Sequence, residues 1–108
     1  MVGVQVPDVG SNIGPSLAVY NNRLYMAWRG IETSQGDDQG IWYSSFDGNN
    51  WAPQQQVPDI GSKIGPSLAV YNNRLYMAWR GKTTELATEI IFDQGIYYTT
   101  YDGNRWFP

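Results

Sequence analysis

The sequence predicts an all-β chain built from two copies of one four-stranded antiparallel unit. Three features carry that expectation: a tandem repeat through most of the chain, alternation of strand period within each copy, and turn residues at the joints. The repeat dominates. Residues 6–30 return as residues 57–81, an offset of 51, and in those 25 positions only Val9/Ile60 and Asn12/Lys63 differ. The register then slips to an offset of 55, with Asp38 matching Asp93 and Trp51 matching Trp106, so four residues are inserted between Gly81 and Asp93.

The first strand of each copy is a short run, residues 16–20, with small residues at alternate positions. The second, 23–29, sets Leu24, Met26 and Trp28 against Tyr25, Ala27 and Arg29. The third, 41–46, sets Ile41, Tyr43 and Ser45 against Trp42, Ser44 and Phe46, and the fourth is expected from Trp51 towards Val57. Apolar residues on both faces, rich in Val, Tyr and Trp, indicate strands covered on both sides. Asn21-Asn22 tolerates the positive φ of a tight hairpin, and Asp47-Gly48 does the same between the third and fourth strands. The insert, residues 83–92, has two readings. Leu86 and Ile90 share one face of a single helical turn, or the second and third strands extend into a longer hairpin.

Four short antiparallel strands in about 50 residues, repeated in tandem, is the unit of a β-propeller. The expected fold is a propeller fragment of two four-stranded antiparallel blades, residues 1–54 and 55–108, the second with an incomplete fourth strand. A two-sheet sandwich competes, but its halves occupy different environments and do not call for copies this alike. In a ring every copy has the same environment.

Two stacked blades leave two apolar faces uncovered, each with aromatic side chains of ~150–250 Å², beyond what a monomer exposes. Head-to-tail stacking on further copies gives a closed ring where the rotation closes. The expected partner is therefore the chain itself: a homotrimer of six blades, or a homotetramer of eight as the alternative. The termini agree. The chain stops early in a fourth strand at Trp106-Phe107-Pro108 and begins with Val4-Gln5-Val6-Pro7, which matches Gln55-Gln56-Val57-Pro58, the end of one. The next copy is expected to supply the missing half by β-augmentation.

Composition narrows the function classes. Net charge is -3 with Lys+Arg 7 against Asp+Glu 10 and no basic run, which argues against nucleic acid. With no histidine and no cysteine, the usual general base, zinc ligands and thiol or Ser-His nucleophiles are missing. Asp37-Asp38 is only a local acidic pair, at most a hint of calcium, and neither metal nor cofactor is expected. No stretch approaches the ~18 apolar residues of a membrane span, and Met1-Val2-Gly3-Val4-Gln5 is unlike a signal peptide; localisation stays open.

Connectivity separates the loops. The tight turns share one end of an up-and-down meander, while the long polar segments 8–15 and 30–40, with counterparts 59–66 and 81–95, share the other. Long loops on a rigid scaffold concentrate function, so the second end is the expected binding face. There the first copy offers Trp28, Arg29, Asp38, Gln39 and Trp42, and the second offers Trp79, Arg80, Asp93, Gln94 and Tyr97. Carbohydrate recognition needs this chemistry: an aromatic plate for the apolar ring face, and charged or amide groups for vicinal hydroxyls. The competing readings are inter-blade core for each Trp and a hairpin-mouth ion pair for Arg29 with Asp38.

Ser45-Phe46-Asp47-Gly48-Asn49-Asn50-Trp51, echoed by Thr100-Tyr101-Asp102-Gly103-Asn104-Arg105-Trp106, resembles the Asp-box of sialidase-like propellers, one residue short and without its Thr. The Asp-box is a structural turn. A sialidase also needs an asymmetric arginine cluster from several blades, which two near-identical blades do not supply, so no enzyme is expected. The whole repeat, from Pro15-Ser16-Leu17 through Arg23-Leu24-Tyr25 to Asp47-Gly48-Asn49-Asn50-Trp51, resembles the blades of Photorhabdus-type seven-bladed propeller lectins. More loosely it is similar to fucose-binding lectins whose two-blade chains trimerise. That resemblance implies a glycan-binding ring, with Arg23 and Arg74 in the place of the fucose-binding arginine and Tyr43 and Tyr98 near the position of its glutamate partner. The function expected is a multivalent carbohydrate-binding module; the alternatives are a self-assembling scaffold without a ligand and a protein-docking platform.

Overall fold

The computed structural model describes residues 3–7, 9–11, 13–33 and 36–107, with only the backbone of residues 32, 33, 36 and 37. All the regular structure described is strand: β1 Pro15–Tyr20, β2 Arg23–Arg29, β3 Glu32–Thr33, β4 Gly36–Asp37, β5 Gly40–Phe46, β6 Gln55–Gly61, β7 Pro66–Tyr71, β8 Arg74–Arg80, β9 Thr83–Glu85, β10 Ile90–Phe92 and β11 Ile96–Tyr101. Every pairing is antiparallel. The first sheet has the order β1-β2-β5-β6, and the second has β11-β8-β7.

The two sheets are near copies in register. Tyr20 pairs with Arg23 and Pro15 with Trp28, as Tyr71 pairs with Arg74 and Pro66 with Trp79. Asn21 (φ 52) and Asn22 (φ 64) close the first hairpin, and Asn72 and Asn73 (φ 51 and 65) the second. Positive φ at both central positions gives the turn whose twist matches that of the strands, and asparagine tolerates it.

The Asp turns are equally alike. Asp47 Oδ1 accepts from the amides of Asn49 (2.8 Å) and Asn50 (2.9 Å), and Asp102 Oδ1 from those of Asn104 (2.8 Å) and Arg105 (3.1 Å). These amides hold both carboxyls below their ordinary value of 3.8. A carboxyl depressed in the folded state stabilises the fold above its unfolded pKa, and that contribution fades as pH falls through the folded value. Thermal stability is thus expected to be flat from neutrality to about pH 5 and to drop below about pH 4. Asp47→Asn with Asp102→Asn should flatten that acid limb in a melting series; an unchanged limb counts against the turns as its source.

The fourth strand differs from the sequence expectation. It begins at Gln55, not at Trp51, because residues 47–50 wrap the Asp turn and Pro53 has no amide to donate. Trp51 makes only an isolated bridge to Phe46. As a result β6 belongs to the first sheet, which ends at Gly61, and the sheets are out of phase with the repeat boundary at 54/55. In the second sheet the same bridge, Tyr101 to Trp106, is present, and no fourth strand follows among the described residues.

The core lies in the seam between the sheets. Strand alternation sends Tyr20, Tyr25, Ala27, Ile41 and Tyr43 of the first sheet towards Leu68, Leu75, Met77, Trp79 and Tyr101 of the second. Tyr101 is the hub: its ring meets Tyr20, Tyr25 and Tyr43 edge-on at centroid distances of 6.4, 5.8 and 5.7 Å. Burial and its tyrosine neighbours push the Tyr101 hydroxyl far above its ordinary pKa, so it stays neutral. Ser16 Oγ accepts from the amide of Leu68 (3.0 Å), which fixes β1 against β7.

Of the two readings of the insert, the structure takes the hairpin. Glu85 pairs with Ile90 and Thr83 with Phe92, and the Leu86 amide donates to the Glu89 carbonyl (2.7 Å). Its tip leaves Leu86, Ile90 and Phe92 about half exposed, at 50, 53 and 58%.

Candidate functional site

The loop end of each sheet is built the same way despite the insert. Gly30 N donates to Gly40 O (3.0 Å) and Asp38 N to Ile31 O (3.2 Å); Gly81 N donates to Gly95 O (3.0 Å) and Asp93 N to Lys82 O (3.3 Å). The carboxylate then folds back over the glycine. A Cβ at Gly30 would lie 2.3 Å from Asp38 Cγ, and one at Gly81 2.4 Å from Asp93 Cγ, so only glycine admits this approach.

Each carboxylate is aimed at an aromatic ring. Asp38 Oδ1 accepts from the Gly40 amide (2.9 Å) and Oδ2 from Trp42 Nε1 (3.0 Å). Asp93 Oδ1 accepts from the Gly95 amide (2.9 Å) and Oδ2 from the Tyr97 hydroxyl (2.5 Å). The Tyr97 hydroxyl and the Gly95 amide hold the Asp93 carboxyl below its usual range, and Asp93 in turn raises Tyr97. Both oxygens of each carboxylate keep a second lone-pair direction for a further donor.

Behind each ring stands a buried tryptophan. Trp28 is the cross-strand partner of Trp42, and Trp79 that of Tyr97, with the latter rings stacked at 6.1 Å and 26°. Trp28 and Trp79 are 3 and 8% exposed and belong to the interior, whereas Tyr97 is 44% exposed and Trp42 half-buried. Trp28, Asp38, Trp42 and Gln54 line a hollow of about 220 Å³. Trp79 and Tyr97 line a larger cleft of about 390 Å³, whose other wall is Val57, Asp59 and Ile60 of β6. Trp106 also lines this cleft, and its indole Nε1 is buried without an acceptor among the described residues.

Four of the expected site residues behave differently. Arg29 is fully buried: its Nε donates to Ser62 O (3.0 Å) and its Nη1 to Gly30 O (3.3 Å), so it fastens the segment that links the sheets. Gln39 reaches across the seam and grips the backbone of Thr83, donating to its carbonyl (2.8 Å) and accepting from its amide (2.9 Å). Both side chains are engaged in structural contacts. Their counterparts at the free end, Arg80 and Gln94, are half-buried and exposed. The side chain of Asp37, the other half of the acidic pair, lies outside the described residues, as do Asp8 and Asn12 of the loop 8–15.

Arg23 and Arg74 sit at the opposite, tight-turn end. Arg23 Nη1 donates to Ser45 Oγ (3.4 Å), and the Arg74 guanidinium lies 5.2 Å over the Phe107 ring. They do not join the carboxylate-aromatic pairs. Gln54 is one of the lining residues that the sequence did not single out; its closeness to Trp42 follows from the register Trp42 to Gln56, which places every second residue of that segment on the Trp42 face. Compared with known proteins, the chain matches no family model, no curated protein and no solved structure.

Proposed function

We propose that the two sheets are consecutive blades of a β-propeller, that copies of the chain close the ring, and that the ring is a multivalent carbohydrate-binding module. The supporting observation is the carboxylate-aromatic pair, Asp38 with Trp42 and Asp93 with Tyr97, recurring at the same end of both sheets beside a hollow. A half-exposed ring offers an apolar plate to one face of a sugar. The adjacent carboxylate, already oriented by a backbone amide, accepts from two neighbouring hydroxyls. Each contact of this kind is weak, and several sites on one ring convert it into avidity. Three copies give six blades, and four give eight.

The two sites of a chain are unequal, because Trp42 stands where the second repeat has Tyr97. Trp42→Ala and Tyr97→Ala are each expected to lower the affinity of their own site roughly three- to tenfold, the scale of a stacking contact of about 0.5–1.5 kcal/mol. Titration calorimetry against immobilised-array hits reads this directly. An assembled ring that binds nothing on a broad glycan array at high concentration sinks the carbohydrate reading. That outcome would leave the second reading, a self-assembling scaffold without a ligand, which draws support from the commitment of Arg29 and Gln39 to the seam.

A further inference from the structure

We infer that the chain docks on a second copy of itself by repeating, between copies, the seam it already makes between its own two sheets. The inference rests on the ring reading above but not on the sugar reading. The seam joins two different faces of one repeated unit. One face belongs to the first sheet and is represented by Tyr20 and Ile41; the other belongs to the second sheet and is represented by Leu68 and Met77. Each sheet, being a copy, has both faces, so one of each kind is left over.

The leftover face of the second sheet is open, and that of the first is open along its β1 edge. Ile41 is fully buried in the seam, while its counterpart Ile96 is 74% exposed; Tyr20 is 7% exposed and its counterpart Tyr71 is 70%. On the other side Leu68 is 9% exposed and its counterpart Leu17 on β1 is 55%, while Met26 and Trp28 further into that face are 8 and 3% exposed. The open face of the second sheet is thus the same surface that the first sheet buries, and the leftover face of the first sheet, exposed along β1, is its known complement. A surface that already fits this complement inside the chain fits it again on another copy.

The strand edge gives the register. β5 is covered by β6, but among the described residues no strand lies along the outer edge of its counterpart β11 at residues 96–99. The sequence of β6 has its own counterpart in residues 4–10, of which residues 4–6 lie outside any strand and Val4 is 89% exposed. In the first sheet Tyr43 pairs with Gln55 and Trp42 with Gln56. Carried over by the repeat, Tyr98 takes Val4 of the second copy and Tyr97 takes its Gln5. Val6 of the second copy then occupies the place of Val57, which is 1% exposed.

Two seam fasteners find their partners in the same arrangement. Arg80 meets the Ser11 carbonyl of the second copy as Arg29 meets that of Ser62, and Gln94 grips the backbone of residue 32 as Gln39 grips Thr83. Ser11 is already in the required turn: its Oγ accepts from the amides of Ile13 (3.2 Å) and Gly14 (3.4 Å), as Ser62 Oγ does from Ile64 (3.2 Å) and Gly65 (2.9 Å). The contact is head to tail, so each added copy presents the same open surfaces until the ring closes.

Disulfide trapping tests this register, because the chain has no cysteine of its own. Opposed residues of an antiparallel pair have Cα atoms about 4.5–5.5 Å apart, within the span a disulfide bridges. In the 108-residue chain carrying Val4→Cys and Tyr98→Cys, mild oxidation is expected to give covalent oligomers ending in a closed species with no free thiol. Val4→Cys with Ile91→Cys, on the β9–β10 hairpin, should give no such ladder. Light scattering run in parallel separates the failures. Assembled chain that does not cross-link at Val4 and Tyr98 overturns the register and leaves the ring; monomeric chain overturns both. Glycan binding plays no part in the readout.

Discussion

Arg29→Ala is expected to lower the stability of the chain by about 2–4 kcal/mol, the scale of truncating a fully buried, hydrogen-bonded charge. The guanidinium has no contact with solvent, and its Nε is fixed to the Ser62 carbonyl at 3.0 Å. Removing it leaves that carbonyl unpaired and a cavity where the sheets are joined. Arg80→Ala, the same change in the other repeat, is expected to cost under about 1 kcal/mol in dilute chain, because Arg80 is half-buried at an open face. Its effect should appear instead as weaker assembly. Urea unfolding of both variants below the assembly concentration makes the comparison; equal losses would contradict the assignment of Arg29 to the seam.

The second large effect is at Ile96. Ile96→Asp is expected to leave each chain folded and to abolish assembly, since it puts a charge on the open face at a position that is 74% exposed and whose counterpart Ile41 is fully buried in the seam. Ile41→Asp should instead unfold the chain, and even Ile41→Ala should cost about 2–5 kcal/mol, the usual loss for a buried isoleucine. One substitution in two copies of one repeat thus separates folding from association. Circular dichroism and sedimentation together read it. Ile96→Asp that assembles like the parent contradicts the proposed interface.

Much of the fold was legible because the repeat made each inference twice. The Asn-Asn hairpins, the Asp turns and the alternation of β2 and β5 all appear where residue types put them. The start of β6 was misplaced because Trp51 continues the apolar pattern, while the turn at 47–50 and Pro53 withhold the backbone amides a ladder needs.

The site was legible only in part, and for one reason. Sequence places Arg29, Asp38, Gln39 and Trp42 at the same end of a sheet, but which of them meets a ligand depends on how closely the next sheet approaches. Gln39 finds the Thr83 backbone and Arg29 finds Ser62, both on segments distant in sequence, and no local pattern announces those meetings. Asp38 and Trp42 are only four residues apart and bond each other, yet the sequence set Asp38 against Arg29 and did not announce that pairing. The split between the buried Trp28 and the half-buried Trp42 follows from packing, which composition does not reveal.

Native mass spectrometry of the 108-residue chain at micromolar concentration tests the central claim most directly. Repeating the internal seam between copies should give one discrete closed species, three chains for six blades. A fourfold species would change the blade number and keep the claim. A chain that remains monomeric, or an open-ended series of masses with no closed member, would contradict it.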